Sequence, residues 1–591
     1  MTPVTAIDRS LSGQAWRWRG GNMDLGNAGF AAADGLVDQL LLSRGVDRSE
    51  LERHRRPTLR DFLPDPSIFR DMDVAAARLA TAIVAREPIA VYGDYDVDGA
   101  TSAALLIRFL NLCGTTARPY IPDRLLEGYG PSGEALVRLG AEGAKLVVTV
   151  DCGAMAHDAL AMAARAGVEV IVVDHHKCAA ELPQTVALVN PNRLDESDEA
   201  ASFGHLAAVG MAFLLAIATA RDLRARGYFG GKAPPDLMAL LDLVALGTVA
   251  DVAQLRGLNR ALVAQGLKVM ARRDNVGLAA LIDASRINRQ PTCSDLGFAL
   301  GPRINAAGRI GDSSLGVRLL TTSDPDEAAD IAARLSVLND ERRGIEQVVQ
   351  EAAEACLATL GETSVPVVAG DGWHPGVIGI VAGRIKEKTG KPVLVIALDA
   401  DEGGNGKGSG RSIAGVDLGA AVIAARAAGL LVAGGGHAMA CGLTIAPGQL
   451  DALRAFLDER LARDVARART AQTMLLDLSL APGGLTPDLV TLLDAAGPFG
   501  IGWPGPRIAI GPVRLVKVDL VGNDHVRLVA AGNDGRSFKA IAFRAAQSDL
   551  GQALLHAHKG RQFWLAGRAK IDDWASRPAA ELHVEDAAFA D

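Results

Sequence analysis

Short apolar runs alternate with helical patterns in the first half of the chain. The four runs are Ile89–Tyr92, Leu146–Val150, Val168–Val173 and Val186–Val189, and the first three are followed directly by Gly or Asp. The segments that follow have helical patterns: Thr101–Leu112, Ser132–Leu139 and Ala156–Ala166, with later helices at Leu206–Arg226 and Asp236–Ala245. Near-continuous apolar strands alternating with helices are typical of a parallel sheet buried on both faces. The pattern therefore predicts an α/β lobe built on a parallel sheet.

The second half of the chain predicts three further parts. A long helix with one apolar and one charged face is followed by a smaller α/β lobe, whose strands include Val365–Ala369 and Val393–Ile396. From about Leu475 the pattern changes to short strands with turns, which favours a small β-barrel of the OB type. We therefore divide the chain into a lead-in (1–80), a first α/β lobe (81–325), a connecting helix (326–360), a second α/β lobe (361–465) and an OB-like barrel (470–591).

Composition limits the class of protein. The chain has 591 residues and a net charge of -8, which argues mildly against a nucleic-acid partner unless bound metal ions or a local basic groove offset the charge. Its six cysteines are scattered without a Cys-x-x-Cys pair, so neither a zinc ribbon nor a disulfide framework is predicted, and a reducing, cytoplasmic location is expected. No signal peptide is found, and the most apolar stretch, Leu206–Ala220, is too short to span a membrane.

Three aspartates at alternate positions follow the first predicted strand. Asp94, Asp96 and Asp98 lie between Gly93 and Gly99. Carboxylates this close repel one another unless a cation lies between them. A solvated acidic turn that caps the next helix is the plainer interpretation. An EF-hand would need a Glu at its twelfth position and a preceding helix, and neither is present. The motif therefore favours a metal site.

Two neighbouring predicted strands also end in metal-binding side chains. Asp151 directly follows one of them, and Asp174, His175 and His176 follow the next. Taken singly, such an Asp is usually a helix cap and such a His pair a surface feature. Open α/β sheets, however, place their sites at the carboxyl ends of the strands. Carboxylates with imidazoles suit Mn²⁺ or Mg²⁺, and two ions would need a shared ligand, for which the central Asp151 is the natural residue.

These motifs resemble those of a known superfamily. Asp96-x-Asp98, Asp151, Asp174-His175-His176 and Asp251 are similar to the four ordered motifs of the DHH phosphoesterases. Further stretches resemble the RecJ family of single-stranded-DNA-specific 5′-to-3′ exonucleases: Gly93–Thr101, Arg124–Gly130, Gly301–Arg309 and Gly434–His437. The resemblance runs from about Leu59 to the C-terminus. One departure is Trp503, where the family usually has Asn; the barrel is also less similar to the family than the rest of the chain.

The resemblance implies a set of residue roles. Five residues would ligate two divalent ions, Mn²⁺ or Mg²⁺: Asp96, Asp98, Asp151, His175 and Asp251. His176 would orient its neighbours or contact the scissile phosphate, as a catalytic residue beside Asp151. Five further residues would bind substrate phosphate: Arg124, Arg303, Ser409, Arg411 and His437. The strand would pass between the two lobes while the arginines bind its 5′-phosphate, because a guanidinium binds phosphate through two parallel hydrogen bonds.

The same resemblance implies a setting and leaves alternatives. We expect a monomer acting on single-stranded DNA in repair and recombination, with single-strand-binding protein and a helicase as partners and no membrane. One alternative is a DHH phosphodiesterase acting on short oligonucleotides or cyclic dinucleotides, for which the barrel and the length of the chain would be unnecessary. The other is an inactive DNA-binding scaffold, which the filled ligand positions disfavour.

Overall fold

The structure is a computed structural model that describes residues 7–20, 33–123, 127–128, 130–398, 404–522, 524–556, 561–572 and 578–590. The chain forms two compact units, of which the first contains Met1–Gly301, Gly316–Ala328 and Thr473–Asp591. The second contains Pro302–Leu315 and Ala329–Gln472. Within the described ranges, none of the helices combines the length and the apolar character that crossing a lipid bilayer requires.

The first unit is built on the predicted parallel sheet. From the N-terminus to the last strand of this sheet, the elements are β1 (Ala15–Trp18), α1 (Ala33–Ser43), α2 (Leu51–Arg55), α3 (Leu59–Phe62), α4 (Met72–Ala85), β2 (Ile89–Gly93), α5 (Val97–Leu112), β3 (Ala117–Tyr120), α6 (Gly133–Ala141), β4 (Leu146–Val150), α7 (His157–Arg165), β5 (Glu169–Val173) and β6 (Ala187–Val189). The sheet order is β3-β2-β4-β5-β6, and every pairing is parallel. All residues of β2 and β4 are buried, which confirms the predicted two-sided burial.

Helices follow the sheet. They are α8 (Asp198–Ala201), α9 (Ala208–Ala225), α10 (Leu241–Ala250), α11 (Gly257–Met270), α12 (Val276–Ala284), α13 (Cys293–Asp295), α14 (Gly301–Ile310), α15 (Ser314–Thr321) and α16 (Pro325–Thr359). The prediction for α10 was wrong in its bounds. Asp236 caps a short 3-10 turn, Leu237–Leu240, and the α-helix begins only after it. The helix also ends later than predicted, at Ala250, and Asp251 is its C-cap.

The second unit contains a five-stranded mixed sheet. Its elements after α16 are β7 (Val367–Asp371), α17 (Pro375–Thr389), β8 (Val393–Leu398), β9 (Gly406–Arg411), α18 (Leu418–Ala427), β10 (Ala433–His437), β11 (Ala440–Ile445) and α19 (Leu450–Thr470). The order is β10-β11-β9-β8-β7, with only β7 and β8 parallel. Two hydrophobic clusters cover it: one includes Val377 and Val381 of α17, the other Leu418 and Leu453 of α18 and α19. The predicted second α/β lobe is thus confirmed.

The C-terminal part of the first unit is a closed barrel, as predicted. Its elements are β12 (Thr473–Leu476), β13 (Leu478–Leu480), α20 (Pro487–Asp494), β14 (Ile508–Val521), β15 (His525–Gly532), β16 (Ser537–Ala542), α21 (Asp549–Leu555), β17 (Phe563–Asp572) and β18 (Ala579–Phe589). The order β14-β15-β16-β18-β17 closes through a pairing of β14 with β17. Trp564 lies in β17, while Trp574, which we also assigned to this region, lies outside the described residues.

The N-terminal strand belongs to this barrel region. β1 pairs in parallel with β12, and the Trp16 side chain packs with Met474, Leu476 and other buried barrel residues. The Trp16 indole donates a 2.8 Å hydrogen bond to Asp586, which is fully buried. The backbone N–H of Ser12 donates to the other oxygen of the same carboxylate. The two ends of the described chain are therefore joined through one buried aspartate.

Replacing Asp586 tests whether its hydrogen bonds attach the N-terminal strand to the barrel. Asp586→Ala leaves the Trp16 indole and the Ser12 amide without their acceptor, and losing hydrogen bonds to a buried charge costs about 3 kcal/mol. We expect a corresponding fall in the free energy of unfolding of the barrel region, followed by tryptophan fluorescence in urea. Asp8→Ala is the control, because the Asp8 side chain is 90% exposed and its pairing with Arg17 contributes at most about 1 kcal/mol. Equal effects of the two changes would contradict the assignment.

Candidate metal centre

Three neighbouring strands end at the same edge of the first sheet. Asp94 follows β2, Asp151 follows β4 and Asp174 follows β5, with β4 in the middle. Asp151 is 2% exposed and has a positive φ of 62°, which non-glycine residues adopt rarely and mostly at special positions. Its backbone N–H donates to the carbonyl of Val173 at the end of β5. The sheet thus directs these carboxylates toward one place.

The N-terminus of α5 adds two further carboxylates. Asp96 is its N-cap and accepts hydrogen bonds from the amides of Asp98 and Gly99. A Cβ at Gly99 would lie 2.4 Å from the Asp94 carbonyl oxygen, so only glycine permits this close turn. α5 begins at Val97 rather than near Thr101 because Asp96 caps it. Asp98 therefore lies in the first helical turn rather than in a loop.

A second helix N-terminus fixes Asp98. Its carboxylate accepts the backbone N–H groups of Ala208 and Val209, at 2.7 and 3.0 Å, where α9 begins. The unsatisfied amides and the dipole at a helix N-terminus stabilise a negative charge. Burial and then the neighbouring Asp96 nevertheless raise the pKa of Asp98 to about 7. The two amides thus fix both oxygens of Asp98, but they do not fully compensate the negative charge of its carboxylate.

The C-terminus of α10 brings Asp251 to the same place. α10 packs closely on α5: a Cβ at Gly247 would lie 2.3 Å from the Thr101 hydroxyl and 3.0 Å from Asp98. One turn later Asp251 caps the helix. Its carboxylate lies 3.9 Å from the His175 ring, and burial followed by repulsion from Asp98 raises its pKa to about 9.

His175 is oriented as a metal ligand. Its Nδ1 lies 3.0 Å from the carbonyl oxygen of Leu206, an arrangement in which Nδ1 carries the proton and Nε2 keeps its lone pair. Nε2 lies 3.2 Å from Oδ1 of Asp151. Burial and then the neighbouring His176 lower the pKa of His175, so the ring is neutral at neutral pH. A neutral imidazole is the form that binds a metal.

His176 is oriented differently. Its Nδ1 lies 2.7 Å from Asp174, whose two oxygens also accept amides of His175, His176 and Ala154. Burial opposes the charged ring, but the Asp174 hydrogen bond prevails and raises the pKa of His176 to about 9. Asp174 is therefore a positioning residue, and His176 is a cation at neutral pH.

Two asparagines that the sequence analysis missed fix the histidine backbone. Asn190 donates to the His176 carbonyl at 2.8 Å, and Asn192 to the His175 carbonyl at 2.6 Å. Both lie directly after β6, at the same sheet edge as the aspartates. Their position after a strand end was visible in the sequence, although an amide there is as common in ordinary turns.

The side chains form three overlapping groups whose ligand atoms lie within 4.8 Å of one another: Asp94 with Asp96 and Asp151; Asp98 with His175 and Asp251; and Asp151 with His175 and His176. Oδ1 of Asp151 and Nε2 of His175 are buried, and neither has a hydrogen-bond partner among the described residues. Burial and then Asp98 raise the pKa of Asp151 well above its ordinary value. Aligned lone pairs and uncompensated carboxylates fit Mn²⁺ or Mg²⁺. Asp94, which we had not counted as a ligand, belongs to this set.

The described phosphate-binding candidates all lie in the second unit. Ser409 and Arg411 are on β9, and His437 ends β10; Arg411 and His437 both pair with Ala440 of the strand between them. The Arg411 guanidinium donates to the Ser409 hydroxyl at 3.2 Å. A Cβ at Gly379 of α17 would lie 3.0 Å from both side chains, so glycine leaves them room.

Two other candidates stand apart. Arg303 is on α14, in the same unit, and its guanidinium donates to the Ser336 hydroxyl at 3.2 Å. Arg124 lies outside the described residues. The phosphate-binding roles of all five residues stay predictions.

Comparisons with known families match three parts of the chain. The family described as "DHH family, N-terminal domain" matches residues 88–248. The family described as "DHHA1 domain" matches residues 362–463. The family described as "RecJ OB domain" matches residues 476–586.

Curated relatives and solved structures agree with these matches. The single-stranded-DNA-specific exonuclease RecJ of Dickeya dadantii is 37% identical over 93% of this chain and 95% of its own length. That of Escherichia coli is 36% identical with the same coverage. The crystal structure of Thermus thermophilus RecJ with Mn²⁺ matches 94% of this chain and 76% of its own, with a TM-score of 0.76 and 30% identity. Its Mg²⁺ complex matches with a TM-score of 0.71 and 29% identity.

The raised carboxyl pKa values lead to a test of metal binding. Ligand carboxylates bind a metal only when deprotonated, so Mn²⁺ binding at pH 7 should release about one proton or more per protein molecule. The apparent affinity should rise as the pH passes from about 7 to about 9, the pKa values of Asp98 and Asp251. Titration calorimetry in buffers of different ionisation enthalpy counts these protons.

The control for proton release is Asp242→Asn. Asp242 is also on α10 and buried, and burial raises its pKa to about 6, but it belongs to none of the three ligand groups. Its replacement should leave the proton count unchanged. A heat of Mn²⁺ binding that does not depend on the buffer would contradict the assignment.

Proposed function

Because this chain belongs to the RecJ family, we propose that it is a metal-dependent exonuclease that hydrolyses single-stranded DNA from the 5′ end. The observation that carries the proposal is the convergence of carboxylates and imidazoles from β2, β4, β5, α5 and α10 at one sheet edge. That donor set suits phosphodiester hydrolysis, in which positive charge must offset a phosphate in the transition state. Its relatives are single-stranded-DNA-specific exonucleases.

The proposed metal ligands are Asp96, Asp98, Asp151, His175 and Asp251, together with Asp94. Asp151 and His175 each belong to two of the three ligand groups. Of the two, Asp151 follows the middle strand β4 and is a carboxylate, whose two oxygens can bind two ions, which supports its role as the shared ligand. When bound, Mn²⁺ or Mg²⁺ would lower the pKa of water and offset the charge of the phosphate. His176 would donate a hydrogen bond to a phosphate oxygen, because Asp174 holds its ring and raises its pKa.

The 5′ end of the strand would bind to the second unit. Arg411 and Ser409 lie on β9 and His437 on β10, and β11 lies between these two strands. A guanidinium beside a hydroxyl offers several donors to a terminal phosphate. We propose that Arg303 and Arg124 complete the phosphate contacts. Recognition of a terminal phosphate would select an end and thereby the polarity of degradation.

The barrel would hold the rest of the strand. Phe543 is 52% exposed, and its ring lies 5.3 Å from that of His525 and 4.9 Å from that of His583. The Arg527 and Lys539 side chains on neighbouring strands are also about half exposed. Exposed rings stack on bases, and basic side chains follow the phosphates. DNA phosphates would compete for these two cations with Asp519 and Asp572, which lie 3.6 Å from Arg527 and 3.7 Å from Lys539.

The proposal extends to the cellular setting and to the domain boundaries. We propose that the enzyme acts as a monomer in the cytoplasm, in DNA repair and recombination, with single-strand-binding protein and a helicase as partners. Six free cysteines fit a reducing compartment. The proposed domains are the lead-in (1–80), the catalytic lobe (81–325), the connecting helix (326–360), the second lobe (361–465) and the barrel (470–591).

A 3′-labelled single strand tests the activity. With Mn²⁺ or Mg²⁺ we expect progressive shortening from the 5′ end, none on blunt duplex, and a loss of at least about 10³-fold in Asp151→Ala, because the shared ligand is removed. Asp242→Asn, equally buried but outside the ligand groups, should retain activity. Turnover of dinucleotides without cleavage of the long strand would replace the proposal by a short-oligonucleotide phosphodiesterase. Binding without hydrolysis would leave a scaffold.

Arg411→Gln tests the recognition of the 5′ end. Loss of a charge-assisted phosphate contact should raise KM for a 5′-phosphorylated strand by about tenfold or more and change KM for a 5′-hydroxyl strand much less. The matched control is Lys407→Gln, which removes a cation from β9, the β-strand that contains Arg411. The Lys407 ammonium donates a hydrogen bond to the Thr444 hydroxyl. Equal losses on both substrates would contradict a role for Arg411 in binding the terminal phosphate.

A further inference from the structure

The loop after the candidate ligand Asp251 has an unfavourable backbone conformation. Residues Val252–Arg256 join α10 to α11. Val252 has a φ of 63°, and its side chain is 60% exposed, so no burial of its own accounts for this conformation. A β-branched residue in the left-handed region is a genuine outlier, and it persists only where surrounding contacts over-determine it. The backbone N–H groups of Val252 and Ala253 donate to the carbonyls of Val249 and Thr248, both at 3.2 Å, so this conformation belongs to the C-cap of α10.

Three further contacts hold the second half of the loop, residues 254–256. The Gln254 carbonyl accepts from the buried Asn259 amide at 3.1 Å, and the Arg256 carbonyl lies 3.2 Å from a ring nitrogen of His205. The backbone N–H of Leu255 donates to the carbonyl of Ile501 at 2.7 Å. The first two partners belong to the α/β lobe. Ile501 belongs to the segment between α20 and β14, which leads into the barrel.

That segment contains a tight turn, Gly500–Trp503, which we call the connector turn. Gly500 and Trp503 exchange backbone hydrogen bonds of 3.0 and 3.1 Å. The Trp503 indole is buried and donates to the Ala496 carbonyl. The guanidinium of Arg260, from α11, lies 4.8 Å from the Trp503 ring centroid and donates to the same carbonyl. Cation–π attraction and these hydrogen bonds attach the connector turn to the lobe.

The connector turn packs closely against the loop that follows Asp251. The Leu255 side chain is 1% exposed, and a Cβ at Gly500 would lie 2.7 Å from its Cδ1. A Cβ at Gly502 would lie 3.1 Å from that of Gln254. The added atom at Gly500 would therefore push Leu255, four residues from Asp251, along a chain that is already strained at Val252.

We infer that the connector turn positions Asp251. By holding Leu255 it fixes the loop that continues the C-cap of α10. The C-cap and the loop together fix the Asp251 carboxylate beside Asp98 and His175, with which Asp251 forms a ligand group. The inference rests on the proposed function, because it takes Asp251 as a metal ligand. Gly500 and Leu255 are positioning residues that act through Asp251. The connector turn, which leads into the barrel, therefore contributes to the affinity of the site for its metal.

Gly500→Ala tests the inference in the full chain, with Mn²⁺ binding measured by titration calorimetry and by electron paramagnetic resonance, without DNA. Displaced supporting residues typically weaken metal binding by about 10–100-fold. We expect a loss of at least about tenfold for the ion held by Asp98, His175 and Asp251. The ion beside Asp94 and Asp96, which shares only Asp151 with the first ion, should lose much less affinity. A general destabilisation would weaken both.

Gly505→Ala is the matched control. It adds the same atom to the same segment, where the nearest neighbour of the new Cβ, in the Arg568 side chain, would be at an ordinary 3.6 Å. Both ions should bind to this variant as they do to the wild type. Leu255→Ala removes the side chain that Gly500→Ala displaces, so adding Gly500→Ala to Leu255→Ala should change Mn²⁺ affinity less than about twofold.

Several results would overturn the inference. They are unchanged Mn²⁺ binding in Gly500→Ala, equal weakening of both ions, or an equal loss in Gly505→Ala. If circular dichroism shows that Gly500→Ala does not fold, Leu255→Ala decides alone, since unchanged binding of the Asp251 ion would refute the contact's role. A wild-type chain that binds no Mn²⁺ would refute the metal centre and this inference together. A failure of DNA cleavage alone would refute only the exonuclease, because the inference is read from the binding isotherms.

Discussion

The mutual repulsion of buried carboxylates governs the structure of the first unit. Asp94, Asp98 and Asp151 are each at most 3% exposed, and Asp96 and Asp251 lie beside them. Burying like charges together is unfavourable unless protons or cations compensate them. The raised pKa values of Asp98, Asp151 and Asp251 express that cost. Bound divalent ions would offset this cost, because the same closely spaced carboxylates would attract them strongly.

Holding such a cluster requires rigid supports. Amides at the start of α9 fix Asp98, Asp174 and the asparagines after β6 fix the histidine pair, and the close packing of α10 on α5 fixes Asp251. The loop after Asp251 is fixed in turn by the segment that leads into the barrel. Metal-site geometry depends on such outer contacts nearly as much as on the ligands.

The proposed metal ligands and the described phosphate-binding candidates belong to different units. The carboxylate and imidazole cluster belongs to the first, while Ser409, Arg411 and His437 lie on glycine-rich strands of the second. Cation ligands and anion-binding groups need opposite electrostatic surroundings, since the carboxylates that attract a metal would repel a phosphate and neutralise an arginine. Placing them on separate sheets lets each set have its own surroundings.

The sequence by itself determined the sheet and most of the metal centre. Apolar runs bounded by Gly and Asp sufficed for β2, β4 and β5, and parallel strands must end at one edge, so Asp151 and the histidine pair were expected together. Asp251 had no such local indication and was found only by resemblance. Tertiary structure decided that α10 starts late and places Asp251 against Asp98. It also decided that β1 joins the barrel through Trp16 and Asp586, and that Gly500 contacts Leu255. Periodicity reports which face of an element is buried, but contacts between distant segments depend on side-chain packing, which local sequence does not encode.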